Sequence, residues 1–259
     1  MSSDLIRQLR SNHTTLGQHP LAKDGFLGVG MAISGIMFNL EFPDPNDVHL
    51  CDIIFGESRI PRYNGATLTS EIWSVGNHIL VCDAVYLFLC RKYGVPVDHE
   101  FRTSLFFHDA AEIYTGDMVT PLKKIMRAAN QYELFEKISN QIDEAIRIKF
   151  RLSDQIDHKD IKFIDNLAYE VERVWHRPAY DSSKTLSFVE EAAAVTKFLR
   201  DPGSLSQCWE NLRNLALDIN NDIINKYAVE IQNPYKTGIL FETNKAEKHV
   251  QNYEFGYTF

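Results

Sequence analysis

The chain is short of cysteine, of positive charge and of long apolar runs, and each shortage removes a class of protein. Its four cysteines (Cys51, Cys82, Cys90 and Cys208) fall at neither zinc-finger nor dithiol spacing. The longest uncharged stretch, residues 25–40, is 16 residues long, is interrupted by glycine and carries Asn39. That is too short to span a bilayer. Lys and Arg number 27 against 35 Asp and Glu, a net charge of −8. Non-specific nucleic-acid binding runs on the opposite balance. A small phosphorylated substrate is still allowed, since it needs only a local pocket of positive charge. No Gly/Ser/Pro-rich linker, internal repeat or low-complexity tract divides the chain. The start, Met1-Ser2-Ser3-Asp4-Leu5, lacks the basic flank and apolar core of a signal peptide. The expectation is a cytoplasmic protein with reduced thiols, bound to neither nucleic acid nor membrane.

What is present is ordinary globular material: 259 residues, 44% hydrophobic and 24% charged, with chain enough for a real core. Residues 26–50 mix glycine with β-branched residues and end in the turn Pro43-Asp44-Pro45-Asn46, which predicts one or two short strands. Helical periodicity follows. Ser74 is an N-cap signal for a helix over 74–91, with His78, Val81, Cys82, Val85 and Leu89 on one face, closed by Tyr93-Gly94-Val95-Pro96. A second helix is predicted over 99–115, with Gly116 as a left-handed C-cap. Thr120-Pro121 reads as an N-cap and first helical residue of a third. Ile138, Ile142, Ala145 and Ile146 continue a helical face. Ile161, Ile164, Ala168, Val171 and Trp175 form the clearest stripe, over 160–176. Further helices are predicted over 186–199 and 205–227. The reading is a mostly α protein: an N-terminal extension over 1–37, a helical domain over 38–227, and a tail over 228–259 packed on it.

Some ionisable residues sit where apolar ones belong. His78 lies on the buried face of its helix, and His108-Asp109 stands between Leu105-Phe106-Phe107 and Ala110-Ala111. Asp165 interrupts the stripe beside Ile164 and Ala168. Each alone has an ordinary explanation as a hydrogen-bonded core residue. Together, two histidines and two aspartates on three helices call for a cation, because buried carboxylates need positive charge. Imidazole with carboxylate suits Mn, Fe, Co, Ni or Zn. No thiolate is assigned to the set, which disfavours a purely structural zinc site. On a regular helix Glu112 would share the face of His108 and Asp109. A carboxylate beside a metal can exchange protons with bound water or a leaving group. Asp117, just past the helix end, could accept hydrogen bonds from a ligand's hydroxyls.

The order His78, His108-Asp109, Asp165 resembles the H…HD…D signature of the HD-domain metal-dependent phosphohydrolases, and within them the bacterial 5′-deoxynucleotidases. Residues 107–123 (Phe-His-Asp-Ala-Ala-Glu-Ile-Tyr-Thr-Gly-Asp-Met-Val-Thr-Pro-Leu-Lys) are similar almost position by position. Ser74-Val75-Gly76-Asn77-His78 and the segment over 52–65 are similar as well, and the resemblance covers residues 38–177. It implies an all-helical HD bundle, often homodimeric, so a homodimer or higher homo-oligomer. It implies one divalent ion (Co, Mn, Fe, Zn, Ni or Mg) held by His78, His108, Asp109 and Asp165. Glu112 would be the catalytic carboxylate, Arg62 the phosphate-binding guanidinium, Asp117 a contact to the sugar 3′-hydroxyl and Lys123 a cation on the phosphate side. Tyr63 or Phe107 could stack on sugar or base.

Two positions depart from that branch: Tyr63 stands where a tryptophan is usual, and Asn77 where a glutamate is usual. Neither is among the implied ligands, so they bear on deoxy over ribo preference rather than on hydrolysis. Two-metal relatives need extra histidines between Asp109 and Asp165, and His158 is the sole histidine there. Guanosine tetraphosphate hydrolases carry Glu-Asp where this chain has Glu112-Ile113. The expected activity is hydrolysis of a (deoxy)nucleoside 5′-monophosphate to nucleoside and phosphate. The rivals are a deoxynucleoside triphosphate triphosphohydrolase and a non-catalytic nucleotide sensor, the latter disfavoured by Glu112.

Overall fold

A computed structural model describes residues 29–32, 34–176, 187–219 and 221–234. The expectations for residues 1–28 and for the tail past residue 234 lie outside the described residues. Where one or two short strands are expected there are two: β1 (Val29–Met31) and β2 (Met37–Asn39) pair antiparallel, Gly30 opposite Phe38. Ser34, in the turn between them, donates its N–H and its hydroxyl to the Asp52 carboxylate, both at 2.8 Å. Phe38 is buried and stacks on Tyr114 with ring centroids 3.7 Å apart. The hairpin is thereby fastened to the helices that follow.

Ten α-helices follow among the described residues: α1 (Leu50–Glu57), α2 (Val75–Tyr93), α3 (His99–Phe106), α4 (Glu112–Thr115), α5 (Thr120–Ala128), α6 (Glu133–Phe150), α7 (His158–His176), α8 (Ser187–Val195), α9 (Leu205–Asp218) and α10 (Asp222–Glu230). None is long and apolar enough to cross a membrane. Helix α2 is the spine. Its Val75 and Ile79 belong to a core shared with α1, α6, α9 and α10, and its Val81, Cys82 and Val85 to one shared with α7 and α8. A helix apolar on both sides is a buried helix. Its start is secured by a capping box in which the Ser74 hydroxyl accepts from the Asn77 N–H while the Asn77 side chain accepts from the Ser74 N–H. Asn77, the departure from the resembled family, thus does at the helix start what a glutamate there would do.

The structure corrects several local expectations. The helix predicted over 99–115 breaks at residues 107–111, next to Phe106 and Phe107, which are buried at 1% and 3% exposure with rings nearly perpendicular at 81°. Phe107 stacks on Phe150 of α6. Through the break the backbone closes three-residue turns instead, with the Ala110 N–H donating to the Phe107 carbonyl and the Glu112 N–H to the Asp109 carbonyl. Gly116 has φ 80° and ψ 153°, an extended left-hand conformation open essentially to glycine, rather than the left-handed helical cap. Thr120 is the first residue of α5 and caps nothing; Val119 holds the cap position. The single helix predicted over 205–227 is two. Ile219 is fully buried in an extended conformation, and the Asn221 side chain then accepts from the N–H groups of Ile223 and Ile224 to start α10. That last helix runs to Glu230, so residues 228–230 belong to it and not to a tail. Helix α1 was not anticipated. Gly56 lets it approach α4, since a Cβ there would meet the Ile113 side chain at 2.8 Å.

The hairpin anchor has a pH signature. Burial pushes the Asp52 carboxyl up to about 6, against the two Ser34 hydrogen bonds, which favour its ionised form. Below the ordinary carboxylate value of about 3.9 the group is neutral in both folded and unfolded chains. Between about 4 and 6 the unfolded chain alone ionises, so this group's contribution to stability falls as pH rises and is constant above. Urea unfolding across that range should show the wild-type stability, measured relative to Asp52→Asn, declining from pH 4 to 6. A difference independent of pH would contradict the assignment.

Candidate metal centre

Three elements bring the four residues singled out together: α2 carries His78, the turn after α3 carries His108 and Asp109, and α7 carries Asp165. The His78 Nδ1 lies 2.6 Å from the Glu172 Oε1, and its Nε2 lies 3.0 Å from the Asp165 Oδ1 and 3.9 Å from the Asp109 Oδ2. The His108 Nδ1 lies 2.7 Å from the Leu105 carbonyl oxygen. A carbonyl can only accept, so Nδ1 donates and Nε2 is the nitrogen left to take a proton or an ion. That Nε2 is buried, 3.4 Å from the Asp109 Oδ2, and has no hydrogen-bond partner among the described residues. Both imidazoles are thus held by their outer nitrogen, and the inner one faces Asp165 and Asp109 in His78 and Asp109 in His108. This is how metal-binding histidines are oriented by their neighbours.

The charges fit a cation at that point. Burial opposes ionisation of Asp165, but the His78 hydrogen bond and the charges of His78, His108 and Lys162 hold it well below the ordinary range. Asp109 is depressed in the same way: burial opposes, and His108, His78 and Arg62 prevail. Burial and Arg62 disfavour protonated His78, yet its anionic neighbours hold its pKa well above the ordinary value. A proton and a divalent ion compete for one place. The unpartnered His108 nitrogen and the mixed imidazole and carboxylate donors suit a divalent transition metal.

Glu172, which the sequence reading missed, orients the site. It is fully buried, and His78 together with Arg62 and the Tyr63 hydroxyl outweighs the burial to hold its pKa down to about 2. Its signal was available: it follows Asp165 by two helical turns on α7, hence on the same face. The Arg62 Nε lies 3.5 Å from Glu172 and its Nη1 3.3 Å from Asp109. The Tyr63 hydroxyl donates to the other Glu172 oxygen. Tyr63, expected against a sugar or base, is tied by its hydroxyl to the carboxylate behind His78. Tyr63 and Asn64 are left-handed, at φ 57° and 53°, a conformation costing non-glycine residues roughly 1–3 kcal/mol each. The turn is held there because Arg62 donates its N–H to the Trp73 carbonyl and Val75 donates its own to Ile60, both at 2.9 Å.

On the other side of Asp109 stands Glu112. Its Oε2 is buried without a hydrogen-bond partner among the described residues, and its Oε1 lies 3.8 Å from the Lys123 Nζ. Burial, then Asp109 and Asp117, raise its pKa to about 9. Asp117 is half-buried and raised by burial, with Arg62 and Lys123 opposing. Behind Glu112 lies a second carboxyl missed in the sequence. Glu57 is fully buried with neither oxygen hydrogen-bonded among the described residues, and burial with Asp109 and Glu112 pushes it far up. A cavity of about 390 Å³ opens onto the cluster, lined by His108, Asp109, Asp143, Lys162 and Asp165. His158 lines that cavity too, outside the cluster. One expectation is overturned: a thiol is present, with the Cys82 Sγ 3.3 Å from the His78 Nε2.

Replacing the orienting carboxylate should be felt by any bound ion. Glu172→Gln is expected to weaken Zn(II) binding roughly 10–100-fold, the usual effect of losing such a partner. Chelator competition would measure it, and unaltered affinity would detach Glu172 from the site.

Comparison with known proteins adds a direction. No family model matches the chain. An uncharacterized protein of Rhodobacter capsulatus is 26% identical over 120 residues, 46% of this chain and 57% of that one. A 5′-deoxynucleotidase of Citrobacter koseri is 29% identical over 124 residues, 47% of this chain and 53% of that one. A 5′-deoxynucleotidase of Shewanella oneidensis is 39% identical over 64 residues, 24% of this chain and 33% of that one. The chain spans about a third to a little over half the length of these three relatives, and the two named for an activity are both named as 5′-deoxynucleotidases.

Proposed function

We propose that the chain is a metal-dependent nucleotide phosphohydrolase that converts a (deoxy)nucleoside 5′-monophosphate to nucleoside and phosphate. The observation that carries this reading is the buried, unpartnered His108 Nε2 facing Asp109, with His78 and Asp165 converging beside it. The partial similarity to proteins named 5′-deoxynucleotidase supports the substrate class. His78, His108, Asp109 and Asp165 hold one divalent ion. When bound, such an ion stabilises charge on phosphoryl oxygens and lowers the pKa of a coordinated water.

The chain's own residues do the rest. Arg62, pinned by Glu172 and Asp109, presents a planar guanidinium to the phosphoryl oxygens with its entropy already lost. Glu112, with a buried free oxygen beside Asp109, holds and returns the proton exchanged with the attacking water or the departing 5′ oxygen. Lys123, close to Glu112, adds positive charge on the phosphate side. Asp117 accepts from sugar hydroxyls at the rim, and Tyr63 shapes that rim through its hold on Glu172.

The test is a screen of nucleoside mono- and triphosphates with Co, Mn, Mg, Fe, Ni and Zn. Orthophosphate from a monophosphate is expected; tripolyphosphate from a triphosphate would assign the rival reaction, and no turnover of any nucleotide would refute both. Asp109→Ala should lose both metal and activity. Glu112→Gln should keep the metal while kcat drops about 10²–10⁴-fold, and a wild-type rate would remove it from proton transfer. Arg62→Ala should raise KM for the phosphate ester, and unchanged kinetics would place Arg62 outside the substrate site.

A further inference from the structure

We propose that Cys82 is a further ligand of the same ion, and that its thiolate makes the site select Zn(II), Fe(II) or Co(II) over Mg(II) and Mn(II). This rests on reading the cluster as a metal centre and goes beyond it in assigning a donor and a metal class. Cys82 follows His78 by one helical turn on α2, so the two side chains lie on one face. Its Sγ is 3.3 Å from the His78 Nε2, and the ligating atoms of His78, Cys82 and His108 all lie within 4.8 Å of one another. Around an ion with bonds of about 2.0–2.3 Å, neighbouring nitrogen and sulfur donors stand about 3.1 Å apart at the right angles of five or six coordination and about 3.5 Å apart at a tetrahedral angle, and 3.3 Å lies in that range. The second observation is the His108 Nε2, aimed into the same space and buried without a hydrogen-bond partner among the described residues.

An ordinary buried cysteine is a small apolar filler with a weak donor. Cys208 illustrates this, its sulfur 3.5 Å from the Ser74 hydroxyl at the start of α2. Cys82 instead faces an imidazole nitrogen between two aspartates. On coordination its S–H bond breaks heterolytically: the sulfur keeps the electron pair as the donor, and the proton passes to solvent. The added negative charge is offset by the ion, by Arg62 against Asp109 and by Lys162 against Asp165. Thiolate is a soft donor, which disfavours hard, oxygen-seeking cations.

Cobalt substitution reads the two layers of the argument separately. The full chain, stripped with chelator and given one equivalent of Co(II), should show visible ligand-field bands and a near-ultraviolet sulfur-to-cobalt charge-transfer band. Cys82→Ser should lose the charge-transfer band and keep the ligand-field bands, and its Zn(II) over Mn(II) preference should fall. Asp109→Ala should lose both sets of bands. X-ray absorption of the wild-type zinc form should contain a sulfur shell near 2.3 Å; this decides the matter should Cys82→Ser fail to fold. Ligand-field bands without charge transfer, a charge-transfer band that survives in Cys82→Ser, or a zinc shell of nitrogen and oxygen alone would overturn the Cys82 assignment and leave the metal centre standing. An unchanged Zn(II) over Mn(II) preference would overturn the selectivity. Absence of cobalt binding, or binding indifferent to Asp109→Ala, would overturn both readings.

Discussion

The hydrogen bond between Glu172 and His78 is the constraint on which the rest of the site depends. It is made between two fully buried residues, so neither can exchange its partner for water. A buried carboxylate is tolerable only with its lone pairs satisfied and its charge opposed. Glu172 meets that condition with three groups: the His78 ring, the Tyr63 hydroxyl and the Arg62 guanidinium. Each of these is positioned by the same need. The left-handed turn at Tyr63, the angle of the His78 ring and the reach of Arg62 toward Asp109 are solutions to one desolvation problem.

Helix α2 makes that problem unavoidable. Because it is the wall between two apolar cores, residues 75–79 and its Val81 and Cys82 are all buried around His78. The break after α3 then supplies the other half of the site. Had residues 99–115 formed one helix, His108, Asp109 and Glu112 would lie along a single stripe. The chain bends there instead, and Glu112 falls on the far side of Asp109, beside Lys123 and Glu57. The groups proposed to bind the ion and to handle the proton are thereby separated by one carboxylate that both can feel.

Much of this was legible in the residues. Periodicity located α2, α6 and α7, since burial of a helical face leaves a local pattern; Pro121 marked the first turn of α5, and Ser74 marked the start of α2 by its own chemistry. The charged residues on apolar stripes, His78, His108, Asp109 and Asp165, could be picked out because an ionisable group in a core needs a reason. Glu172 had the same signature at a spacing of two turns and was passed over. Glu57 gave no such signal: it sits in the short helix α1, which was not anticipated. Cys82 was read as part of an apolar face, which is what a buried thiol resembles until its neighbour is known.

The sequence by itself determined most of the helical segments and placed His78, His108, Asp109 and Asp165 on buried faces, because both follow from interactions within a few residues along the chain. Only the tertiary structure decided the partners. Glu172 meets His78 across 94 residues, and Arg62 meets Asp109 across 47. Such contacts depend on where α2 and α7 cross and on where the chain bends after α3, and no local pattern records those. The direction in which each imidazole presents its lone pair, and the presence of a thiol beside it, are settled at that level, because both depend on distances between elements.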